Sequence, residues 1–233
     1  MSPSPSFEIP VSDILGWDVS TWSPALAHWS AAIATQDRPL ECLEIGAGPG
    51  GPSLWLASLG NNVVCSNVSN SAELARPLHS RYPAIEGIEY SDVDALHIPW
   101  VGRFDVIVLR SVLGGIHPAD LPTLKLVIAE ILVALKPGGR LLFAENVRGT
   151  VLHRLARAAA VGRRSGSLRY PSVAELRSIL NGFSSSEIKT TGVLALFGIR
   201  ESHRTALARA DVALFNRLVP STWRYVAYGS ATK

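Results

Sequence analysis

The segment LECLEIGAGPGG, residues 40–51, constrains the fold of this chain more than any other stretch. An apolar, strand-like run ends in a turn with glycine at positions 46, 48, 50 and 51. Glycine adopts positive φ without steric cost and lets a backbone approach a ligand closely. A strand that feeds a helix through such a turn opens a ligand-binding α/β unit.

Strand and helix patterns alternate from there. NVVCS (62–66), IEGIEY (85–90), FDVIVLR (104–110) and RLLFAEN (140–146) read as strands two to five. Ser53 to Leu59, Ser71 to Arg81 and Thr123 to Leu135 read as the helices between them. Gly60 stops the first helix, and Pro77 weakens the later part of the second. Lys136-Pro137-Gly138-Gly139 reads as a turn. The continuous apolar run of FDVIVLR is typical of a buried parallel strand. The alternation predicts an α/β, Rossmann-like, doubly wound sheet with right-handed crossovers. Ligands bind such sheets at the carboxyl ends of the strands. The positions to watch are therefore 46–51, 66–70, 91–95, 110–117 and 145–153.

Around this core, residues 1–10 read as a loose arm. Residues 11–36 carry Trp17, Trp22 and Trp29 at spacings that fit one or two helices, with Ser23-Pro24 as a helix start. Val151 to Val161 reads as a basic helix, Ser172 to Leu180 as another, 185–192 as a strand and Ser202 to Leu218 as a helix. WRYVAYGSATK (223–233) reads as a final strand. One domain is expected at 233 residues. Within it, 1–36 is an arm and helical lid, 37–146 a cofactor-binding core and 147–233 a substrate cap with the final strands.

Apolar residues make up 47% of the chain, a globular profile. The formal charge of +3 is too small to argue for nucleic acid. Cys42 and Cys65 lie in apolar runs and read as buried small hydrophobes. MSPSPSFEIP has neither a basic nor an apolar leader segment, and no apolar run reaches membrane-spanning length. A cytoplasmic protein without membrane contact is expected.

The glycine loop fits two templates. Gly46, Gly48 and Gly51 spell the dinucleotide pattern G-x-G-x-x-G. Glu44, Gly46, Gly48 and Gly50 spell an acid followed by G-x-G-x-G. A dinucleotide needs helix N-terminal donors for its pyrophosphate, and Pro49 and Pro52 each remove one donor. The second strand also ends on Asn67, where a dinucleotide site normally places a ribose-binding acid.

The second pattern resembles motif I of the class I S-adenosylmethionine (SAM) methyltransferases. VDALHIP (93–99), FDVIVLRSVL (104–113) and LKPGGRLLFAEN (135–146) are similar to later motifs of that family, in the same order. The resemblance covers residues 40–146 and implies a seven-stranded sheet with an antiparallel last strand, a role that WRYVAYGSATK suits. It implies that Gly46, Gly48 and Gly50 line the cofactor and that Glu44 organises the loop. It places Asp94 and Ala95 at the adenine, and the backbone of Leu109 and Arg110 at the cofactor's ammonium. Asn67 departs from the pattern, yet an amide can still bond both ribose hydroxyls.

The reaction implied is methyl transfer, and a hydroxyl acceptor needs a base. His153 is preferred and His117 is the alternative, since each follows a strand end and histidine titrates near neutrality. Glu145 is a candidate base or orienting group. LGGI (113–116), ENVRGTVLH (145–153), RYPSVAEL (169–176) and the final segment are similar to a bacterial group that includes candidates for methylating sugars. That similarity implies an O-methyltransferase acting on a saccharide or other small molecule. Trp22, Asn146, Arg148 and Tyr170 are assigned to the acceptor side. Trp17, Asp18 and Trp22 read as core packing, with a lid over the cofactor as the alternative. Arg148, Arg154, Arg157, Arg163 and Arg164 form a basic cluster that reads as a solvated face or as an anion-binding surface. Mg²⁺ is left open and no metal site is predicted, because the acidic set of the catechol type is not recognisable. A homodimer is compatible with the chain. The alternatives are an N- or C-methyltransferase of natural-product type and a non-catalytic SAM-binding protein. A nucleic-acid enzyme is disfavoured by LRSV after strand four, where an Asn/Asp-Pro-Pro-Tyr motif would be needed.

Overall fold

The computed structural model describes residues 9–34, 38–161 and 169–233. Most of the expected arm, and Arg163 and Arg164 of the basic cluster, lie outside them. Seven strands form one sheet: β1 (Glu41–Ile45), β2 (Asn62–Asn67), β3 (Ile88–Asp92), β4 (Phe104–Arg110), β5 (Leu135–Asn146), β6 (Ser185–Thr191) and β7 (Val226–Thr232). Their order is β3-β2-β1-β4-β5-β7-β6. The first five are parallel, and β7 runs antiparallel to both β5 and β6.

Among the described residues, the helices of five residues or more that flank the sheet are α1 (Val11–Leu15), α2 (Val19–Ile33), α3 (Gly51–Ser58), α4 (Ser71–His79), α5 (Leu121–Ala134), α6 (Val151–Val161), α7 (Val173–Ile179) and α8 (Glu201–Ala210). Alternate strand residues feed two cores. Leu43, Ile45, Ile107, Leu109, Leu141 and Phe143 pack under α5 and α7. Cys42, Val106, Val108, Leu142 and Ala144 pack on the opposite face under α1, α2 and α3. Both cysteines are buried and free. Among the described residues no helix is long and apolar enough to cross a membrane.

Several boundaries differ from the sequence expectation. Helix α2 starts at Val19 rather than at Ser23-Pro24, and Pro24 lies inside it. Trp22, Ala25, Trp29 and Ile33 form a buried stripe that demands helix from the earlier point. The carboxylate of Asp18, just before the helix, accepts the Tyr225 hydroxyl at 2.6 Å and pins the start. Strand β3 begins after Gly87, whose φ of +83° breaks the extended run. The Lys136–Gly139 turn is absorbed into β5, where the register with β4 shifts between Phe104 and Val106. The single helix expected to Leu218 is interrupted by a π-helical stretch at Asp211–Phe215. There Asp211 turns inward and its carboxylate accepts the backbone N–H groups of Val193, Leu194 and Ala195. Asp105 is structural: Arg38, Lys136 and the Glu41 N–H all donate to it. Burial opposes its charge, but these bonds hold the carboxyl down to about 2.

Candidate cofactor and active site

The loop between β1 and α3 shows why its glycines are needed. Gly46, Gly48 and Gly50 have φ of 64°, 52° and 78°. A Cβ on Gly46 would lie 2.8 Å from Val112, and one on Gly50 would lie 2.5 Å from the His79 ring. Gly51 serves a different purpose. A Cβ there would lie 2.2 Å from the Ile14 carbonyl oxygen, so glycine lets α1 dock. The residue that completes G-x-G-x-x-G is thus explained by packing.

Beside this loop a cleft of about 470 Å³ opens at the carboxyl ends of β1, β2 and β4. That size suits a small-molecule site. Ile45, Gly46, Asn67, Asp94, Ala95, Val112, Ile116 and His117 are in its wall. Apolar surfaces there suit a planar base, while an amide and a carboxylate suit its exocyclic amine and a ribose diol. The Asn67 Oδ1 accepts the Gly48 N–H at 2.8 Å, so this amide also fixes the glycine loop. One Asp94 oxygen accepts the Leu96 N–H at 2.9 Å.

The first turn of α3 decides between the two templates. Glu44 is buried, and its Oε2 accepts the Ser53 N–H at 2.7 Å and the Ser53 hydroxyl at 2.5 Å. Pro52 has no N–H to offer. Two of the donors that a pyrophosphate would use, at residues 52 and 53, are therefore missing or already bonded. Burial pushes the Glu44 carboxyl up to about 7, against the Ser53 bonds and the Arg110 charge.

Residues 43–143 match a family described as a methyltransferase domain. The chain has the α/β methyltransferase fold. Its sheet order and the cleft at the strand ends agree with that match. Methyltransferase GfsG of Streptomyces halstedii is 35% identical over 113 residues, which is 47% of this chain and 39% of that protein. Phosphoethanolamine N-methyltransferase 2 of Haemonchus contortus, solved with phosphomonomethylethanolamine and S-adenosylhomocysteine, superposes with a TM-score of 0.63 at 18% identity. That match covers 96% of this chain and 56% of that one. The N-methyltransferase NodS of Bradyrhizobium japonicum, solved with S-adenosylhomocysteine, gives 0.59 at 15% identity over 91% of this chain and 86% of that one. The chain thus spans well under two thirds of GfsG and of the Haemonchus enzyme.

Within the methyltransferase fold, Gly46, Asn67, Asp94, Ala95 and His117 converge on one cleft. Leu109 is buried in the core beside it. Arg110 turns the other way, to the face of α2, where its guanidinium stacks on Trp22 with 4.6 Å to the ring centroid. Trp22 itself is fully buried.

Glu145 does not orient His153. Its oxygens accept the backbone N–H groups of Val112 and Leu113, holding the turn after β4. Burial pushes its carboxyl up to about 8 against those bonds. His153 is enclosed instead in the cap. Its Nε2 lies 2.7 Å from the Val193 carbonyl, its Nδ1 accepts the Thr150 N–H at 3.0 Å, and its ring stacks on Phe197. Helix α6 is reversed relative to its charge pattern: His153 and Arg157 face inward, while Val151, Leu152 and Leu155 are exposed.

Arg157 is not part of a solvated cluster. It donates to the Val147 carbonyl and the Asn146 Oδ1, and lies 4.1 Å from the Tyr170 ring centroid. Asn146 in turn donates to the Ser111 hydroxyl at 2.8 Å. Ser111 has φ of 57°, a strained value for a residue with a side chain, at the end of β4. Asn146 and Tyr170 thus meet through Arg157, whereas Arg148 pairs outside with Glu175 at 3.1 Å.

Sequence reasoning passed over His79. Its Nε2 lies 2.8 Å from the Gly50 carbonyl and its Nδ1 lies 2.9 Å from the Tyr90 hydroxyl. The signal was its place in the buried stripe Ser71, Ala75, His79 of α4.

Proposed function

We propose that the protein is a SAM-dependent methyltransferase that methylates a hydroxyl on a saccharide or other small molecule. The observation that supports it most is the cleft that joins Gly46, Asn67, Asp94 and Ala95 to His117. When bound, the cofactor supplies an electrophilic methyl group on a sulfonium. Gly46, Gly48 and Gly50 make room for its amino-acid and ribose parts. Asn67 bonds the ribose and Asp94 the adenine amine. The apolar wall excludes water from the reacting centre. His117 takes the hydroxyl proton, since it is the candidate histidine in the cleft wall.

The test is a methyl-transfer assay with labelled SAM on a panel of sugars and small alcohols, phenols and amines. His117→Ala is expected to lower turnover about 100-fold or more while S-adenosylhomocysteine binds as before. Intact turnover in both His117→Ala and His153→Ala, with an amine or carbon acceptor, would replace hydroxyl methylation by N- or C-methylation. If S-adenosylhomocysteine does not bind, the whole reading fails.

A further inference from the structure

Helix α6 stands in the cap with its polarity inverted. His153 and Arg157 are buried, while Leu152 and Leu155 are 65% and 61% exposed. Arginine is rarely buried, and a cluster of exposed apolar side chains marks an interaction surface. The orientation is locked from below. Arg157 donates to the Val147 carbonyl at 2.7 Å, to the Asn146 Oδ1 at 3.0 Å and to the Tyr225 carbonyl at 3.2 Å. His153 Nε2 lies 2.7 Å from the Val193 carbonyl. Rolling the helix to bury its leucines would break these bonds and leave buried polar groups unpaired.

Exposed apolar surface continues beyond α6. The half-exposed Phe197 ring stacks on His153 at 5.3 Å, which seats its turn against the helix. Two residues on, Ile199 is 88% exposed. An exposed arginine adjoins each part: Arg154 on α6 and Arg200 after Ile199.

Charge says what covers this face. Residues 147–233 carry fourteen Lys or Arg and four Asp or Glu, a net charge of +10. Residues 1–146 carry eight and fifteen, a net charge of −7. The overall +3 conceals this division, and such asymmetry between halves points to a polyanionic partner or a membrane. Two copies meeting cap to cap would bring like charges together, which disfavours a second chain. An anionic lipid surface attracts the C-terminal part and repels the core, so it also sets the orientation. Leucines interspersed with arginine suit the headgroup boundary, where the aliphatic chains enter the acyl region and guanidinium meets phosphate. Docking of this kind needs neither a leader nor a spanning segment.

We propose that the outer face of α6, with Leu152, Leu155, Arg154, Phe197, Ile199 and Arg200, is a docking surface for an anionic membrane. The proposal goes beyond the methyl-transfer reading and does not rest on it, because vesicle binding is measured without cofactor or acceptor.

Vesicle flotation would compare phosphatidylcholine with a mixture containing about 30% phosphatidylglycerol, on wild type, Leu152→Ser/Leu155→Ser and Arg154→Glu. Melting temperatures would verify folding. Wild type is expected to bind the anionic vesicles about tenfold more tightly than the neutral ones and to leave them at about 1 M salt. The double serine variant is expected to bind the anionic vesicles about tenfold more weakly, and Arg154→Glu about tenfold more weakly as well. Wild type that binds neither vesicle would overturn the proposal and give the face to an acidic protein. Equal binding to both vesicles would overturn it too. Unchanged binding in a folded double serine variant would reduce the contact to charge alone and overturn the docking face. A wild-type dimer that the serines dissolve, seen by sedimentation, would put a second copy on the face instead. Should the serine variant not fold, Arg154→Glu decides, and unchanged binding there would overturn the proposal.

Discussion

Glu44 and Ser53 are joined twice, through the Ser53 backbone N–H at 2.7 Å and its hydroxyl at 2.5 Å. A carboxylate on β1 therefore caps helix α3 across the glycine loop. Glu44→Ala leaves both donors buried without an acceptor. The expected cost is about 1–3 kcal/mol of stability, measured by urea unfolding, together with weaker S-adenosylhomocysteine binding. Unchanged binding in a folded variant would separate the cap from the cofactor site.

Glu44 and Glu145 give the protein a distinctive pH profile. Burial raises both carboxyls, to about 7 and about 8. The folded state then holds protons that the unfolded chain releases from about pH 4.5 upward. Their contribution to stability is full below that pH and is lost as pH rises through about 8. Burial lowers His79 and His153, which work in the opposite direction up to about pH 6.5. The falling limb is therefore clearest between about pH 6.5 and 8. Glu145→Gln should flatten it in denaturant titrations across that window. A wild-type limb that rises there would contradict the assignment.

Two glycines of one loop should respond differently to the same substitution. Gly51→Ala drives a Cβ toward the backbone of Asp13 and Ile14 and should undock α1, costing about 1–3 kcal/mol. Gly48→Ala meets no atom within 4 Å and bears only the strain of its φ of 52°, about 1–2 kcal/mol. Limited proteolysis near residues 9–16 would tell them apart, with faster cleavage expected in Gly51→Ala alone.

Asn67→Asp keeps an acceptor for the Gly48 N–H and adds a charge-assisted bond to a ribose hydroxyl. SAM affinity should rise about three- to tenfold, read by calorimetry with an unchanged melting temperature. Equal or weaker affinity would mean that Asn67 serves the loop and not the ribose.

Much of the fold was legible because strands announce themselves by short apolar runs. FDVIVLR matches β4 residue for residue, and the helix read over Ser172 to Leu180 is α7, with Ser172 at its N-cap. Helix α2 was harder, since Ser23-Pro24 is a strong local start signal that burial of Trp22 and Asp18 overrides. Nearness in sequence alone pairs Glu145 with His153. The turn through Gly149, φ 61°, sends His153 into the cap, while Glu145 bonds back to the end of β4.

Sequence by itself determined the sheet, the glycine loop and the strand ends that meet in the cleft, because hydrophobic period and positive-φ glycines are local properties. Only tertiary structure decided which polar groups are already bonded and which are not. Glu44, Asn67 and His153 are held by partners that lie 9, 19 and 40 residues away in the chain. Arg110 is left with bare donors between a strand and a helix. Such bonding depends on long-range packing, and no local pattern encodes it.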